Sequence, residues 1–425
     1  MGYAQLTASL AHSATITPTL SLKSEVSFDV TESQKTNNLD PIFRENGSAT
    51  AGLNRYGENE LLVRALLSWR PEGNHKAAFG LEWGGLSFGD RVHMLGDDPP
   101  HPEGVRPVAG AQVGAQEWWV SMISALAEYQ YQPGDAWTFW LGGRIDKHDY
   151  TESMFSPRVA MVWAPAEKNT YKLIYNRSVR RGDDADLRRA FNAGNQGDTE
   201  TIDVVEFRYE RQQTDRLWMG ASFYHDRYNI LSWDGAALTT KPLGELELMG
   251  AEFELSYLLF DTRLNFSQTF TEQLGFDLRE GIARNNISSA PYGYGDDLAS
   301  FAGEMTKLTL ERDLSGQMSV SAAVRGHWGY AGGRAMADFN RDHPTTNRSS
   351  NGYPLTDGSN KAFKGNIYLN LGFEYQPTAK WTLRFDGYNL LGLVDEDLNK
   401  RTYFLRVDQY RVEAPSLAVT FRYAF

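Results

Sequence analysis

The chain closes on Pro415-Ser-Leu-Ala-Val-Thr-Phe-Arg-Tyr-Ala-Phe425. Side chains of an extended strand point alternately to its two faces. Leu417, Val419, Phe421, Tyr423 and Phe425 therefore share one face, and Ser416, Ala418, Thr420, Arg422 and Ala424 share the other. One face is apolar and aromatic; the other is small and polar. A strand that meets hydrocarbon on one side and water or polar protein on the other needs this pattern. A transmembrane β-barrel repeats it strand after strand, with aromatic residues at the two interfaces.

The same period recurs upstream. Ile367, Leu369, Leu371, Phe373 and Tyr375 oppose Asn366, Tyr368, Asn370 and Glu374. Met249, Ala251, Phe253, Leu255 and Tyr257 oppose Gly250, Glu252, Glu254 and Ser256, and Val320, Ala322, Val324 and Trp328 oppose Ser319, Ser321, Arg325 and His327. Glu, Arg and Asn on the second face need water or partners, because burying them unpaired is costly. Tight turns are expected at Thr17-Pro18-Thr19, Pro71-Glu-Gly-Asn74, Gln132-Pro-Gly-Asp135, Ala164-Pro-Ala-Glu-Lys-Asn169, Gln213-Thr-Asp215, Leu314-Ser-Gly316 and Gln376-Pro-Thr-Ala379. Their turn-forming residues sit between alternating runs. Long polar loops are expected near 35–56, 91–115, 181–198, 274–298, 332–360 and 391–413. Short turns on one rim and long loops on the other are the asymmetry of an outer-membrane barrel.

The expected fold is all-β: a transmembrane antiparallel β-barrel over residues 1–425, with about 17 strands present. The first and last strands both run toward the tight-turn rim. Bacterial single-chain barrels have an even number of strands. An odd count implies an odd number of strands upstream, about five if the parent is a plugged 22-stranded transporter.

Composition narrows the function. The mean hydropathy is −0.48, and no run approaches the ~18 apolar residues of a membrane helix. That excludes a helical membrane protein and leaves a barrel open. The 21 Tyr, 22 Phe and 11 Trp fit interfacial girdles. The net charge of −12 argues against a nucleic-acid partner. With no cysteine, disulfides and thiolate metal sites are impossible. Met1-Gly-Tyr-Ala-Gln-Leu-Thr-Ala-Ser-Leu10 lacks the features of a signal peptide and reads as a strand already under way. No Gly-x-Ser-x-Gly elbow, His-Glu-x-x-His pair or Gly-rich phosphate loop is present, so no enzyme is read here and no cofactor is implied.

Several segments, in order from about residue 117 to the end, resemble the barrel of TonB-dependent receptors. They are Phe155-Ser-Pro-Arg-Val-Ala-Met-Val-Trp-Ala-Pro165 with Tyr171-Lys-Leu-Ile-Tyr-Asn-Arg-Ser-Val-Arg180, Phe223-Tyr-His-Asp-Arg-Tyr-Asn-Ile230, Met249-Gly-Ala-Glu-Phe-Glu254 and Tyr388-Asn-Leu-Leu-Gly392. The resemblance implies a 22-stranded barrel around an amino-terminal plug in the outer membrane of a Gram-negative bacterium. Such a receptor captures a scarce ligand in its loops and imports it with energy from the TonB complex. The ligand would be a siderophore, haem, cobalamin or oligosaccharide. No plug is read in this chain, so it is expected to be the carboxyl-terminal part of a receptor. A passive porin of 16–18 strands is the alternative, and an outer-membrane enzyme or adhesin is a third reading.

A ligand would bind in the loops and upper lumen, since loops on a rigid scaffold carry function. Arg177, Arg180 and Arg181 could pair with a carboxylate or phosphate. Tyr292 and Tyr294 of Pro291-Tyr-Gly-Tyr294, and Trp328 and Tyr330 of His327-Trp-Gly-Tyr330, could stack on a ring. Asp183, Asp184, Asp186, Asp296 and Asp297 match no calcium loop and read as solvated loop acids, so no metal site is assigned. Phe421, Tyr423 and Phe425 fit the terminal signal that the barrel-assembly machinery recognises. Deletion of Phe425 is expected to lower the amount of folded, heat-modifiable protein in the outer membrane; wild-type amounts on a semi-native gel would rule out that role.

Overall fold

A computed structural model of the chain describes residues 2–37, 44–45, 48–49, 52–88, 118–192, 194–234, 239–279, 302–329, 365–395, 400–402, 409–411 and 413–424. Seventeen strands form one sheet. They are β1 (Gly2–Thr17), β2 (Leu20–Asn37), β3 (Gly52–Trp69), β4 (His75–Phe88), β5 (Trp118–Gly134), β6 (Trp137–His148), β7 (Met154–Ala166), β8 (Asn169–Arg181) and β9 (Thr199–Thr214). After these come β10 (Leu217–Asp234), β11 (Thr239–Leu259), β12 (Thr262–Leu278), β13 (Glu304–Ser315), β14 (Met318–Trp328), β15 (Asn366–Thr378), β16 (Trp381–Tyr388) and β17 (Ser416–Tyr423). Helices α1 (Asp184–Asn192) and α2 (Leu391–Val394) interrupt the strand pattern. β1 to β5 pair successively and antiparallel, as do β8 to β17. β11 has 21 residues, where about 9–11 suffice to cross a bilayer, so such strands carry their loops beyond the hydrocarbon.

The tight turns fall where Pro, Gly and Asp predicted them, with one addition. β11 reverses into β12 through Phe260 and Asp261, which contain neither Gly nor Pro. Phe260 adopts φ 52°, a left-handed conformation uncommon for a bulky residue. The expected loop at 181–198 is corrected: its centre is α1. Leu187 and Phe191 stand one turn apart and give the helix an apolar stripe. Gly194, at φ 82°, ends it, with the Asn195 N–H bonded to the Ala190 carbonyl at 3.0 Å, as in a Schellman terminus.

Contacts divide the chain into two units, Met1–Pro133 with Trp140–Arg158 and Asp183–Gly197, and Gly134–Phe139 with Val159–Gly182 and Asp198–Phe425. In the first unit Leu10, Phe79, Leu81, Ile123, Leu141 and Phe155 are exposed on one face. The opposite face carries a ladder of polar register partners, Glu25, Arg64, Glu82 and Ser124. In the second unit Leu173, Phe207, Phe223, Met249, Leu371 and Phe385 are exposed on the apolar face. Its polar face runs through Lys172, Arg208, Ser222 and Glu252. Exposed apolar area on this scale marks a surface that meets apolar surroundings.

Aromatic rows border that face at its tight-turn ends. Ring centroids of Trp137 and Trp163 are 5.4 Å apart, Trp163 and Tyr171 5.0 Å, and Tyr171 and Tyr209 5.0 Å. Trp381 contacts Phe421 at 4.9 Å and Tyr423 at 5.0 Å, and in the first unit His75 stacks on Tyr131 at 4.9 Å. Amphipathic rings favour the membrane–water boundary. The terminal strand is as expected: Leu417, Val419, Phe421 and Tyr423 are all exposed on the apolar face. Phe425 lies outside the described residues.

On the polar face of the second unit, Tyr224 lies across Gly250 and bonds to the Thr271 hydroxyl at 2.6 Å. A Cβ on Gly250 would come within 2.2 Å of the Tyr224 hydroxyl and 2.5 Å of the Phe270 carbonyl. Gly250→Ala must displace that ring and is expected to cost about 1–3 kcal/mol, read as a lower urea midpoint. An unchanged midpoint would refute the ring placement.

Candidate functional site

The polar face of the first unit is a charged wall. Arg64 pairs with Glu25 at 2.6 Å. Arg144 of β6 bridges Glu82 of β4 at 2.8 Å and Asp146 at 2.6 Å, and Ser124 of β5 donates to Asp146 at 2.5 Å. Each charge thus has an opposite charge or a hydroxyl against it, the condition for keeping ionised groups out of bulk water. At the loop end the wall ends in His148, which is 1% exposed. Its Nδ1 accepts the Tyr150 N–H at 3.2 Å, so the proton of a neutral ring sits on Nε2. Nε2 is 3.2 Å from Asp184 Oδ1, at ion-pair distance but outside hydrogen-bond geometry.

α1 lies over this end. Leu187 is buried, and the Gly197 N–H bonds to the Tyr150 carbonyl at 2.8 Å. A Cβ on Gly197 would come within 2.1 Å of the Leu187 side chain, so glycine is what lets the helix seat. Around it is an aromatic shelf. Phe88 stacks on Trp118 at 4.1 Å, Trp118 meets Tyr150 at 6.4 Å, and Tyr150 meets Phe191 at 5.1 Å. The Arg188 guanidinium sits 5.0 Å above the Trp118 ring, a cation–π contact worth about 0.5–2 kcal/mol. Burial raises the Tyr150 phenol above its usual value; Arg188 opposes the rise, and Asp149 and Asp184 add to it. Aromatic faces beside a cation and hydroxyl can receive a planar, electron-rich, anionic group.

The residues singled out from sequence are dispersed. Arg177 and Trp328 stand on the apolar face of their strands. Arg177 makes a two-point pair with Asp203, at 2.8 Å for each bond, with the Tyr175 hydroxyl also on Asp203 at 2.9 Å. Trp328 lies over Gly326, where a Cβ would come within 2.5 Å of its ring, and donates to Thr306 Oγ1 at 3.2 Å. Arg180 is on the opposite face, bonded to Glu200. Arg181 shares the side of Arg177 at the end of β8. Tyr292, Tyr294, Tyr330, Asp296 and Asp297 lie outside the described residues. Asp186 corrects the reading of solvated loop acids, since it lies within α1 and is buried. Among the described residues no group of three or more His, Asp or Glu is placed to hold a metal. Sequence reasoning missed Trp118, Tyr150 and Arg188. Only the spacing of Leu187 and Phe191 hinted at the helix that brings them together.

An antiparallel sheet with an apolar face bordered by aromatics and a charge-paired polar face defines a membrane-spanning β protein. The chain belongs to the TonB-dependent receptor-like β-barrel family, whose model matches residues 2–390. No curated protein matches it in sequence. Among solved structures it resembles the ferric enterobactin receptor PfeA of Pseudomonas aeruginosa, with TM-score 0.65 and 15% identity over 92% of this chain and 56% of that one. The ferric-catecholate import receptor Fiu of E. coli K12 gives TM-score 0.65 and 13% identity over 100% of this chain and 64% of that one. The iron transporter FrpB of Neisseria meningitidis gives TM-score 0.67 and 12% identity over 99% of this chain and 64% of that one. The chain therefore spans between 56% and 64% of the length of these proteins.

Leu187→Ala removes the side chain that seats α1, at an expected cost of about 2–4 kcal/mol. Amide exchange at 184–192 should accelerate roughly tenfold or more while β4 and β5 stay protected. Unchanged exchange at α1 would show that Leu187 does not hold the helix.

Proposed function

We propose that this chain is the barrel portion of an energy-coupled receptor in the outer membrane of a Gram-negative bacterium, and that the receptor imports a metal chelate. The aromatic–arginine shelf on the polar face carries this reading. Trp118, Tyr150 and Phe191 offer ring faces, Arg188 offers charge, and α1 places them where the wall meets the loops. A ferric catecholate has the matching chemistry, with flat electron-rich rings around a negatively charged metal centre. PfeA is a ferric enterobactin receptor and Fiu a ferric-catecholate import receptor, and both support that choice of ligand.

Transport in this reading needs a plug and its contact with the TonB complex, both supplied from outside residues 1–425. Phe421, Tyr423 and Phe425 would present the chain to the assembly machinery. No step of this function breaks a covalent bond, and none of the residues is assigned a catalytic role.

The test is binding of ferric enterobactin to the purified chain in detergent, followed by tryptophan fluorescence. Trp118→Ala and Arg188→Ala are each expected to weaken binding by roughly tenfold, the loss of one stacking or cation–π contact. Wild-type affinity in both variants would remove the shelf from the ligand path. Steady ion conductance in a planar bilayer, with no binding, would replace import by passive diffusion.

A further inference from the structure

The apolar face of the first unit is uneven. Along β4 it presents Phe79 and Leu81, both exposed. Their register partners on β5 are Ala127 and Ala125. Beyond β5 the face rises again at Leu141 of β6 and Phe155 of β7, also exposed. Phe155 lies over Gly143, where a Cβ would come within 3.1 Å of its ring. Two alanines and a glycine between large side chains leave a groove of about 990 Å³, walled almost wholly by carbon. Two residues past Ala125 the register pair of Ile123 and Trp83 restores the bulk.

The other end of the groove is polar. Tyr129 lines it, and the Tyr129 hydroxyl lies 2.5 Å from His75 Nδ1. With that hydroxyl donating, the ring proton of His75 sits on Nε2. Nε2 and the hydroxyl of the stacked Tyr131 then offer donors at the tight-turn rim, where amphipathic rings mark the edge of the hydrocarbon. Length decides what fits. From Tyr131 to Ala125 the strand covers about 20 Å at ~3.4 Å per residue. Tilted by about 45°, that is a depth of ~14 Å, half of a hydrocarbon core of about 30 Å. A membrane-spanning helix needs the full thickness, so the groove matches a single leaflet. A polar head at the boundary and a tail one leaflet long describe a glycerophospholipid.

We propose that the groove over Ala125, Ala127 and Gly143 holds one acyl chain of a glycerophospholipid from the periplasmic leaflet, with His75 and Tyr131 on its glycerophosphate. The inference rests on the outer-membrane reading above and is independent of the ligand that the receptor imports.

The test uses the full chain refolded in detergent and stripped of lipid, with palmitoyl-oleoyl-phosphatidylethanolamine as the probe and native mass spectrometry as the readout. Wild type should retain one lipid per chain, and lipopolysaccharide should not displace it. Ala125→Phe fills the floor of the groove and should weaken retention roughly tenfold, the loss of about two buried methylenes. His75→Ala should weaken it roughly fivefold, the loss of one hydrogen bond. Val205→Phe, on the apolar face of the second unit, should retain the lipid as wild type does. Ala127→Leu provides a second filling variant in case Ala125→Phe does not fold. Equal retention in all these forms would show lipid spread over the apolar face at large, and displacement by lipopolysaccharide would put the binding in the other leaflet; either overturns the proposal. A wild-type dimer that Ala125→Phe dissociates would give the groove to a second copy and overturn it as well. Failure of the chain to insert into liposomes would bring down the membrane reading itself, whereas insertion without selective retention brings down this proposal alone.

Discussion

The fold depends on register. In hydrocarbon each unbonded backbone group costs several kcal/mol, so the strands must pair along their length. With a side-chain period of two, a slip of one residue would carry the whole polar set to the apolar face. Leu81 would then trade places with Glu82, and Ile145 with Arg144. Tight turns are the device that prevents this. The turn between β1 and β2 sets Ala11 opposite Glu25. The turn between β3 and β4 sets Arg64 opposite Glu82. The tight turns fix Arg64 against Glu82 locally, and the pairing of β2 with β3 and of β4 with β5 extends the ladder to Glu25 and Ser124.

That ladder explains the make-up of the polar face. A lone carboxylate there would face a large desolvation penalty. Arg144 answers two acids at once, and Arg208 does the same with Glu210 and Glu254 in the second unit. Such pairs add modestly to stability, because desolvation offsets much of their attraction. Their larger effect is on specificity: a wrong register would separate every pair and bury its members alone. Asn366 is an exception, buried with neither amide atom bonded among the described residues, although the same face satisfies Asn370 and Asn389.

Much of this was legible in sequence. The alternation of β15 and β17, the Pro- and Gly-containing turns and the aromatic excess each reflect local physics, and each appears in the structure. The turn at Phe260 was not, because Leu259-Phe260-Asp261-Thr262 has neither Gly nor Pro and Asp261 alone is a weak mark; the pairing of β11 with β12 imposes it. Arg177 and Trp328 show a different gap. Arg177 has the parity of Leu173 and Tyr175, and Trp328 that of Val320 and Val324, so their faces were countable. Trp118 and Arg188 were beyond reach for another reason. Their contact joins the start of β5 to a helix some 70 residues later, and no local pattern encodes it.

Identities of 12–15% with chains of the same fold are consistent with this division of labour. A wall of this kind asks each position only to be apolar, polar or small, so sequence can drift while period and turn length persist. The loop ends are under a different constraint. There Gly197 admits Leu187, Leu187 seats α1, and α1 sets Arg188 over Trp118, each step requiring a particular side chain. Binding specificity is expected to concentrate where such chained requirements occur, and the repetitive wall can serve many ligands unchanged.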